Sequence, residues 1–470
     1  MKAGSDFGIY GLGQIGGNLA LNAVDKGISC VAFSRSETRR ASFTGSLDGA
    51  ACLVVPDEAR FVAALRRPRV IILALPAGSP VDESIERLAA CLEAGDIVVD
   101  SGDSWFRDTE RRAGSLALRG IDYVGLGLSG DATAARRGPA FMAGGSTRAQ
   151  DRLMPLLSIL AARGPDGNPC CAWVGPGPSG HFVKMVHNAI EYADMELLAE
   201  AYHLLKSSLR ATHDEMRTIF ARWDQSELSS HLLSMVVDIL GVREPDGSPL
   251  IDRVLDRAAQ RGTGILAIES ALDLGVPAGI LAGAVFARSL SVLKDERIAA
   301  SAILGSATSR PSGDRKTMIE DVRKALLSAK IIAYAEGFAL LRRASLAWDW
   351  DLQLGQIARV WREGAVIGSP FLDDVADALD REPSASSLLL DARIKVLLDK
   401  TLIALRKTVA RAVETGLALP VFTAAIVAYD GLRSPWLPAN LIQAMRDRFG
   451  GTGFERIDRP RGEIYRHPWK

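Results

Sequence analysis

Phe7-Gly-Ile-Tyr10-Gly11-Leu-Gly13-Gln14-Ile15-Gly16, followed by Gly17 to Lys26, is the stretch on which the fold turns. Phe7 to Tyr10 is a short apolar run that reads as a strand, and Gly17 to Lys26 reads as a helix. Between them lies G-x-G-x-x-G. Gly11 permits the tight turn, Gly13 lets a pyrophosphate come up to the backbone, and Gly16 allows close packing of helix on strand. Gln14 and Ile15 complete the loop, and the helix N-terminus behind it attracts phosphate. Alone, the motif is weak. Set between a strand and a helix near the N-terminus, it predicts a dinucleotide site.

Working outward, a second strand from Ser29 to Phe33 ends in Ser34-Arg35-Ser36. NAD-binding folds usually place an acid there for the ribose 2′-hydroxyl. Two hydroxyls and a guanidinium suit a 2′-phosphate instead, so the cofactor expected is NADP. Further strands are read at Val70–Leu75, Ile97–Asp100, Tyr123–Gly127 and Ala140–Gly144. Strands alternating with helices predict an α/β Rossmann domain, doubly wound around a mostly parallel sheet. Ligands bind such sheets at the carboxyl ends of the strands. Three loops should therefore face the ligands: Leu75-Pro76-Ala77, Asp100 to Ser104 with Asp103 within it, and Ser129-Gly130-Asp131.

After Gly175-Pro-Gly-Pro-Ser179 the pattern turns helical to about Asp430. At the head of this part Lys184, His187, Asn188 and Glu191 stand at i, i+3, i+4 and i+7, which puts them on one helix face. An amine, an imidazole, an amide and a carboxylate within two turns form a set of proton donors and acceptors for work on a bound polar molecule. Ala199-Glu-Ala-Tyr-His-Leu-Leu205 resembles Ala335-Glu-Gly-Phe-Ala-Leu-Leu341, suggesting two related helical halves. The division expected is a Rossmann domain over 1–178, a large all-α domain over 179–433 and a C-terminal tail over 434–470. Rich in Pro, Gly, Arg and aromatics, the tail reads as an extended arm that needs a docking surface.

The 470 residues carry 56 Lys plus Arg against 56 Asp plus Glu, so no net charge draws the chain to nucleic acid or an anionic membrane. No apolar run approaches a membrane-spanning length and no secretory leader is read. Five cysteines without metal-type spacing suit reduced thiols and a cytoplasmic location, and no metal site is expected.

Several strings carry a family resemblance. The Gly11-Gly13-Gly16 motif, Arg107-Asp-Thr, Ser129-Gly130, His181-Phe-Val-Lys-Met-Val-His-Asn188, Ile190-Glu-Tyr192, Gly262-Thr-Gly264, Val285-Phe-Ala-Arg288 and Leu437-Pro-Ala-Asn-Leu-Ile-Gln443 are similar to those of the 6-phosphogluconate dehydrogenase family over essentially the whole chain. The resemblance implies an NADP-dependent enzyme and a homodimer whose tails are exchanged. It gives Lys184 the role of taking the hydroxyl proton, Glu191 that of assisting enediol tautomerisation, and Asn188 and His187 that of orienting substrate. It also implies a phosphate cradle of Tyr192, Arg261, Thr263, Arg288 and Arg446.

The sequence departs from the family pattern at the other end of the substrate. The family's Gly-Gly-Asn-Ser is Ser101-Gly-Asp103-Ser104 here, its Ser-Gly-Gly is Ser129-Gly-Asp131, and a cofactor-loop lysine is Pro76. Two added carboxylates would oppose a sugar acid's carboxylate by several kcal/mol at about 4 Å and an effective dielectric near 20. The expectation is therefore an NADP(H)-dependent oxidoreductase acting on a secondary alcohol or ketone of a small phosphate- or phosphonate-bearing substrate, in the form of a non-decarboxylating ketone reductase. Decarboxylating 6-phosphogluconate dehydrogenase and a catalytically silent NADP or metabolite sensor are the alternatives.

Overall fold

The structure is a computed structural model that describes residues 4–47, 52–259, 262–305 and 313–469. Eight strands form one sheet: β1 Phe7–Tyr10, β2 Cys30–Phe33, β3 Cys52–Val54, β4 Val70–Leu73, β5 Ile97–Asp100, β6 Asp122–Ser129, β7 Ala140–Gly144 and β8 Cys171–Gly175. Their order is β3-β2-β1-β4-β5-β6-β7-β8, and every pairing is parallel except β6 with β7. The doubly wound sheet expected from the sequence is present.

Apolar side chains leave both faces. Phe7, Ile9, Ile72 and Val99 enter one core, while Tyr10, Ile71, Leu73 and Val98 enter the other. A strand buried on both sides needs an unbroken apolar run, which is why the central strands were legible. The two strands missed are the sheet's edges. β3 has three residues and exposes Leu53, and β8 pairs with β7 through a register shift at Ala143/Gly144.

Helix Ser179–His203 starts directly after β8 and is buried along most of its length. The 33-residue helix Arg315–Ala347 packs against it, and a buried ion pair, Lys330 Nζ to Asp194 Oδ2 at 2.8 Å, joins the two. The paired Ala-Glu strings have a shared physical task. Glu200 accepts hydrogen bonds from Val421 N (2.7 Å) and Phe422 N (3.0 Å), at the start of helix Pro420–Leu432. Glu336 accepts from Ile280 N (2.9 Å) and Leu281 N (3.3 Å), at the start of helix Gly279–Val292. Each long helix thus caps another with a buried carboxyl group.

Burial raises both groups, to about 8 for Glu200 and about 7 for Glu336, against the lowering effect of the helix amides. The folded chain therefore keeps protons that the unfolded chain releases in the ordinary glutamate range. Stability from these sites is complete in acid and declines as pH rises through about 7 to 8. Denaturant unfolding between pH 5 and 9 should show that decline, and Glu200→Gln should flatten part of it.

Contacts divide the chain into Met1–Ala425 and Ile426–Lys470. The second unit is less extended than the sequence suggests. It carries helix Ala439–Gly450, and buried Asp447 accepts from Gly453 N (2.8 Å), His467 N (3.1 Å) and Trp469 Nε1 (2.7 Å). Among the described residues no helix is long and apolar enough to cross a membrane, and no group of three or more His, Cys, Asp or Glu could hold a metal ion.

Candidate active site

The first turn of helix Ser179–His203 lies on the backbone of β6 and β7. A Cβ at Gly180 would stand 2.1 Å from Gly125 O and 2.7 Å from both Gly144 N and Met142 O. One turn on, a Cβ at Gly127 would stand 2.6 Å from Lys184 Cβ. Glycine on both partners lets the helix sit against the strands, which sets Lys184 at a fixed height above the carboxyl end of β6.

Lys184, His187 and Asn188 are buried and Glu191 is partly so; the four share one face, as the spacing predicts. A hydrogen-bonded chain runs through them. Val366 N donates to Ser129 Oγ (3.2 Å), which meets His187 Nε2 (3.0 Å), while His187 Nδ1 meets Asn188 Oδ1 (3.2 Å). Asn188 Nδ2 donates toward Thr263 Oγ1 (3.4 Å) and Asp103 Oδ1 (3.5 Å). An amide oxygen only accepts, so Nδ1 carries the proton and Nε2 accepts from the Ser129 hydroxyl. One neutral tautomer satisfies the whole chain. Burial, helped by the Lys184 charge, holds His187 well below the usual histidine range, in keeping with that tautomer.

Burial also raises Glu191, with Lys184 opposing and Asp103 adding to the effect. That places its proton exchange nearer neutrality, where a general acid works best. Among the described residues no hydrogen bond or ion pair engages the Lys184 amine.

The phosphate-cradle residues are partly gathered. The Arg288 guanidinium lies 3.5 Å from the Tyr192 ring centroid, and its Nη2 donates to Met195 Sδ at 3.3 Å. Thr263 opens helix Thr263–Asp273, which Gly262 begins in the left-handed region at φ 91° without a side-chain cap. Uncapped amides and a hydroxyl at one helix start favour an oxyanion. Arg261 lies outside the described residues. Arg446 belongs to the second unit, where it donates to Gln443 Oε1 at 3.3 Å.

The two added carboxylates behave differently. Asp131 is exposed and caps helix Ala132–Arg137, its Oδ1 accepting from Ala134 N at 2.7 Å. Asp103, read from the sequence as a cofactor residue, turns toward Asn188 and shares a small hollow with Lys184 and Thr263. The sequence reading singled out neither Asp100 nor Arg112. Buried Asp100 accepts from Ser104 Oγ (2.7 Å), Tyr123 Oη (2.8 Å) and Gly102 N (3.0 Å), and Arg112 Nη1 reaches it at 3.4 Å. His181, part of a string already singled out, ties Asp100 O (2.9 Å) to Thr109 (2.6 Å). These groups pin the loop that carries Asp103.

At the carboxyl end of β1, on the same edge of the sheet, the glycine motif has the form a dinucleotide needs. Gly11 has φ 117°, and a Cβ at Gly16 would stand 2.0 Å from Gly11 O, whereas one at Gly13 would meet nothing within 4 Å. Gly13 begins helix Gln14–Asp25 with no side-chain cap and no acid in the first turn, so its amides remain for phosphate. Leu75, Pro76 and Ala77 follow β4 at the same edge of the sheet. Ser34 and Arg35 follow β2, with their carbonyls held by Arg40 Nη1 at 2.5 and 3.2 Å. Among the described residues Arg35 makes an exposed ion pair with Glu83 alone, and Ser36 caps the next helix through Arg39 N (3.3 Å). A surface pair of that kind is weak and can yield to a 2′-phosphate.

Gly13→Ala is consequently expected to fold with unchanged thermal stability and to bind NADP at least about tenfold more weakly, because its methyl group occupies the pyrophosphate's approach. Fluorescence titration with a melting curve checks both parts.

A family model described as the NAD binding domain of 6-phosphogluconate dehydrogenase matches residues 6–175, and one described as the 6-phosphogluconate dehydrogenase C-terminal domain matches residues 180–469. Relatives named decarboxylating 6-phosphogluconate dehydrogenase include one from Haemophilus influenzae, 43% identical over 100% of this chain and 97% of its own. Another, from Mus musculus, is 42% identical over 99% and 97%. Plasmodium falciparum 6-phosphogluconate dehydrogenase, solved without ligand, with its cofactor NADP+ and with its substrate 6-phosphogluconate, superposes with a TM-score of 0.95 at 33% identity, covering 99% of this chain and 100% of that one.

Proposed function

The chain belongs to the 6-phosphogluconate dehydrogenase family, and from that premise we propose that it oxidises 6-phosphogluconate with NADP and releases CO2, leaving ribulose 5-phosphate. The observation that carries this reading is the pairing of Lys184 and Glu191 on one helix face, beside the Ser129–His187–Asn188 chain. NADP, when bound, supplies the acceptor for the hydride. The Lys184 amine takes the proton of the substrate's C3 hydroxyl as that carbon gives up hydride. The resulting β-keto acid loses CO2, and Lys184, now an ammonium, stabilises the negative charge that develops on the oxygen. Glu191, whose hold on a proton is strengthened by burial, protonates C1 of the enediol and returns the product. Ser129, neutral His187 and Asn188 orient hydroxyls, and Tyr192, Thr263 and Arg288 receive the phosphate together with Arg261.

The non-decarboxylating ketone reductase expected from the sequence loses its support. One of the two carboxylates that suggested it is spent on a helix cap. The relatives matched over the full chain are decarboxylating enzymes.

We also propose that the chain works as a homodimer, with 1–178 binding cofactor, 179–433 binding substrate, and the 434–470 tail of a second copy bringing Arg446 to the phosphate end. Light scattering of the full chain tests the dimer. The activity is tested by incubation with 6-phosphogluconate and NADP. Equal amounts of NADPH and CO2 are expected. NADPH without CO2 would revive a non-decarboxylating reaction, and binding without turnover would favour a sensor.

A further inference from the structure

The loop after β5 places the carboxylate of Asp103 in the site, in the string Ser101-Gly-Asp103-Ser104 that departs from the Gly-Gly-Asn-Ser of the family it resembles. The loop leaves it little freedom. Asp100 bonds Gly102 N at 3.0 Å and Ser104 Oγ at 2.7 Å, so both neighbours of Asp103 are anchored. Its Oδ1 faces Asn188 Nδ2 at 3.5 Å, and the same amide reaches Thr263 Oγ1 at 3.4 Å. The two donors of Asn188 are thus directed at the protein instead of at open space. Asp103 shares its hollow with the Lys184 amine, and its carboxylate lies on the same side as the Glu191 carboxyl group, which burial biases toward the neutral form. A phosphorylated sugar acid adds a further carboxylate to that set. An asparagine side chain would offer it an N–H, whereas a carboxylate offers only acceptors.

We infer that Asp103 is a specificity-determining residue that weakens the hold on phosphorylated sugar acids relative to phosphorylated polyols of the same length. It does so through a fixed negative charge and through its claim on an Asn188 donor. The inference rests on the site being one for 6-phosphogluconate. A screened repulsion between carboxylates several ångströms apart corresponds to roughly ten- to hundredfold in affinity. An uncharged polyol end escapes it.

The test is calorimetric titration of the full-length protein loaded with NADPH, using 6-phosphogluconate and glucitol 6-phosphate as the two ligands. Asp103→Asn should bind the acid about ten- to hundredfold more tightly and the polyol phosphate within about threefold of the parent protein. Asp103→Ala should recover part of the gain for the acid, since it removes the charge without supplying a donor. In turnover with NADP, the KM for 6-phosphogluconate should fall in the same order. Equal gains for both ligands, or no gain for the acid, would overturn the inference. If the parent enzyme releases NADPH and CO2 from 6-phosphogluconate and the variants show no shift, only this inference falls. If neither parent nor variant binds 6-phosphogluconate at millimolar concentration, the proposed function falls with it.

Discussion

Lys184→Met is expected to reduce NADPH formation from 6-phosphogluconate by about 10³-fold while leaving NADP binding and the melting temperature close to those of the parent. Methionine matches the length of the lysine stem and keeps the contact with Gly127, whose missing Cβ leaves room for Lys184 Cβ. The change removes the amine and little else. His187 and Asn188 keep their hydrogen bonds to Ser129 and Thr263, so the orienting chain stays intact. Lys184 has two tasks in the proposed reaction: it accepts the hydroxyl proton and then offsets charge on the oxygen during CO2 loss. Its loss should therefore lower kcat far more than it raises KM. The Lys184 charge also opposes burial at Glu191, so its removal should raise Glu191 further and move any residual activity's basic limb upward in pH. Full turnover in Lys184→Met would remove the amine from the chemistry.

What could be read from the sequence follows burial and distance. The central strands, buried on both faces, appear as apolar runs at Phe7–Tyr10 and Ile97–Asp100, and the structure has them at the same residues. The edge strands Cys52–Val54 and Cys171–Gly175 pair on one side only and need no such run. The Lys184–Glu191 face was legible because its period is local. The partners of that face were not. Asp100 with Arg112, and His181 with Thr109, meet across 12 and 72 positions in the chain, and nothing in local period announces such a pairing. Asp131 has a local role that the motif reading passed over. Read by its place in a motif, it stood in the site, whereas its spacing to Ala134 makes it a helix N-cap, a local pattern open to inspection beforehand. The self-similar Ala-Glu strings were read as marking two related helical halves, and their common work as caps emerged only when the two recipient helices, one at Gly279 and the other at Pro420, were in place.

Gly180→Ala should damage both stability and catalysis, through a single methyl group. The three atoms it would meet, Gly125 O, Gly144 N and Met142 O, lie at 2.1 to 2.7 Å and all belong to backbone. A side chain in the way could rotate, but two hydrogen-bonded strands can yield only by moving together. The helix is the freer partner, and relief of that overlap requires a lift of the order of 1 Å. Overpacking of this kind costs about 1–3 kcal/mol. The catalytic cost is of similar size. Lys184, His187, Asn188 and Glu191 all ride on the helix whose first turn is lifted, whereas Ser129 and Asp103 stay with the sheet. A misplacement near 1 Å can lower turnover about 10²-fold. Gly114→Ala serves as the control, since its Cβ meets nothing within 4 Å on helix Phe106–Ala117, and it should be neutral or stabilising by up to about 1 kcal/mol. Melting curves and steady-state kinetics on both variants separate the outcomes. A Gly180→Ala enzyme with parental kcat would mean that the height of the helix above β6 does not set the chemistry, and the link from glycine to amine to proton transfer would fail at its first step.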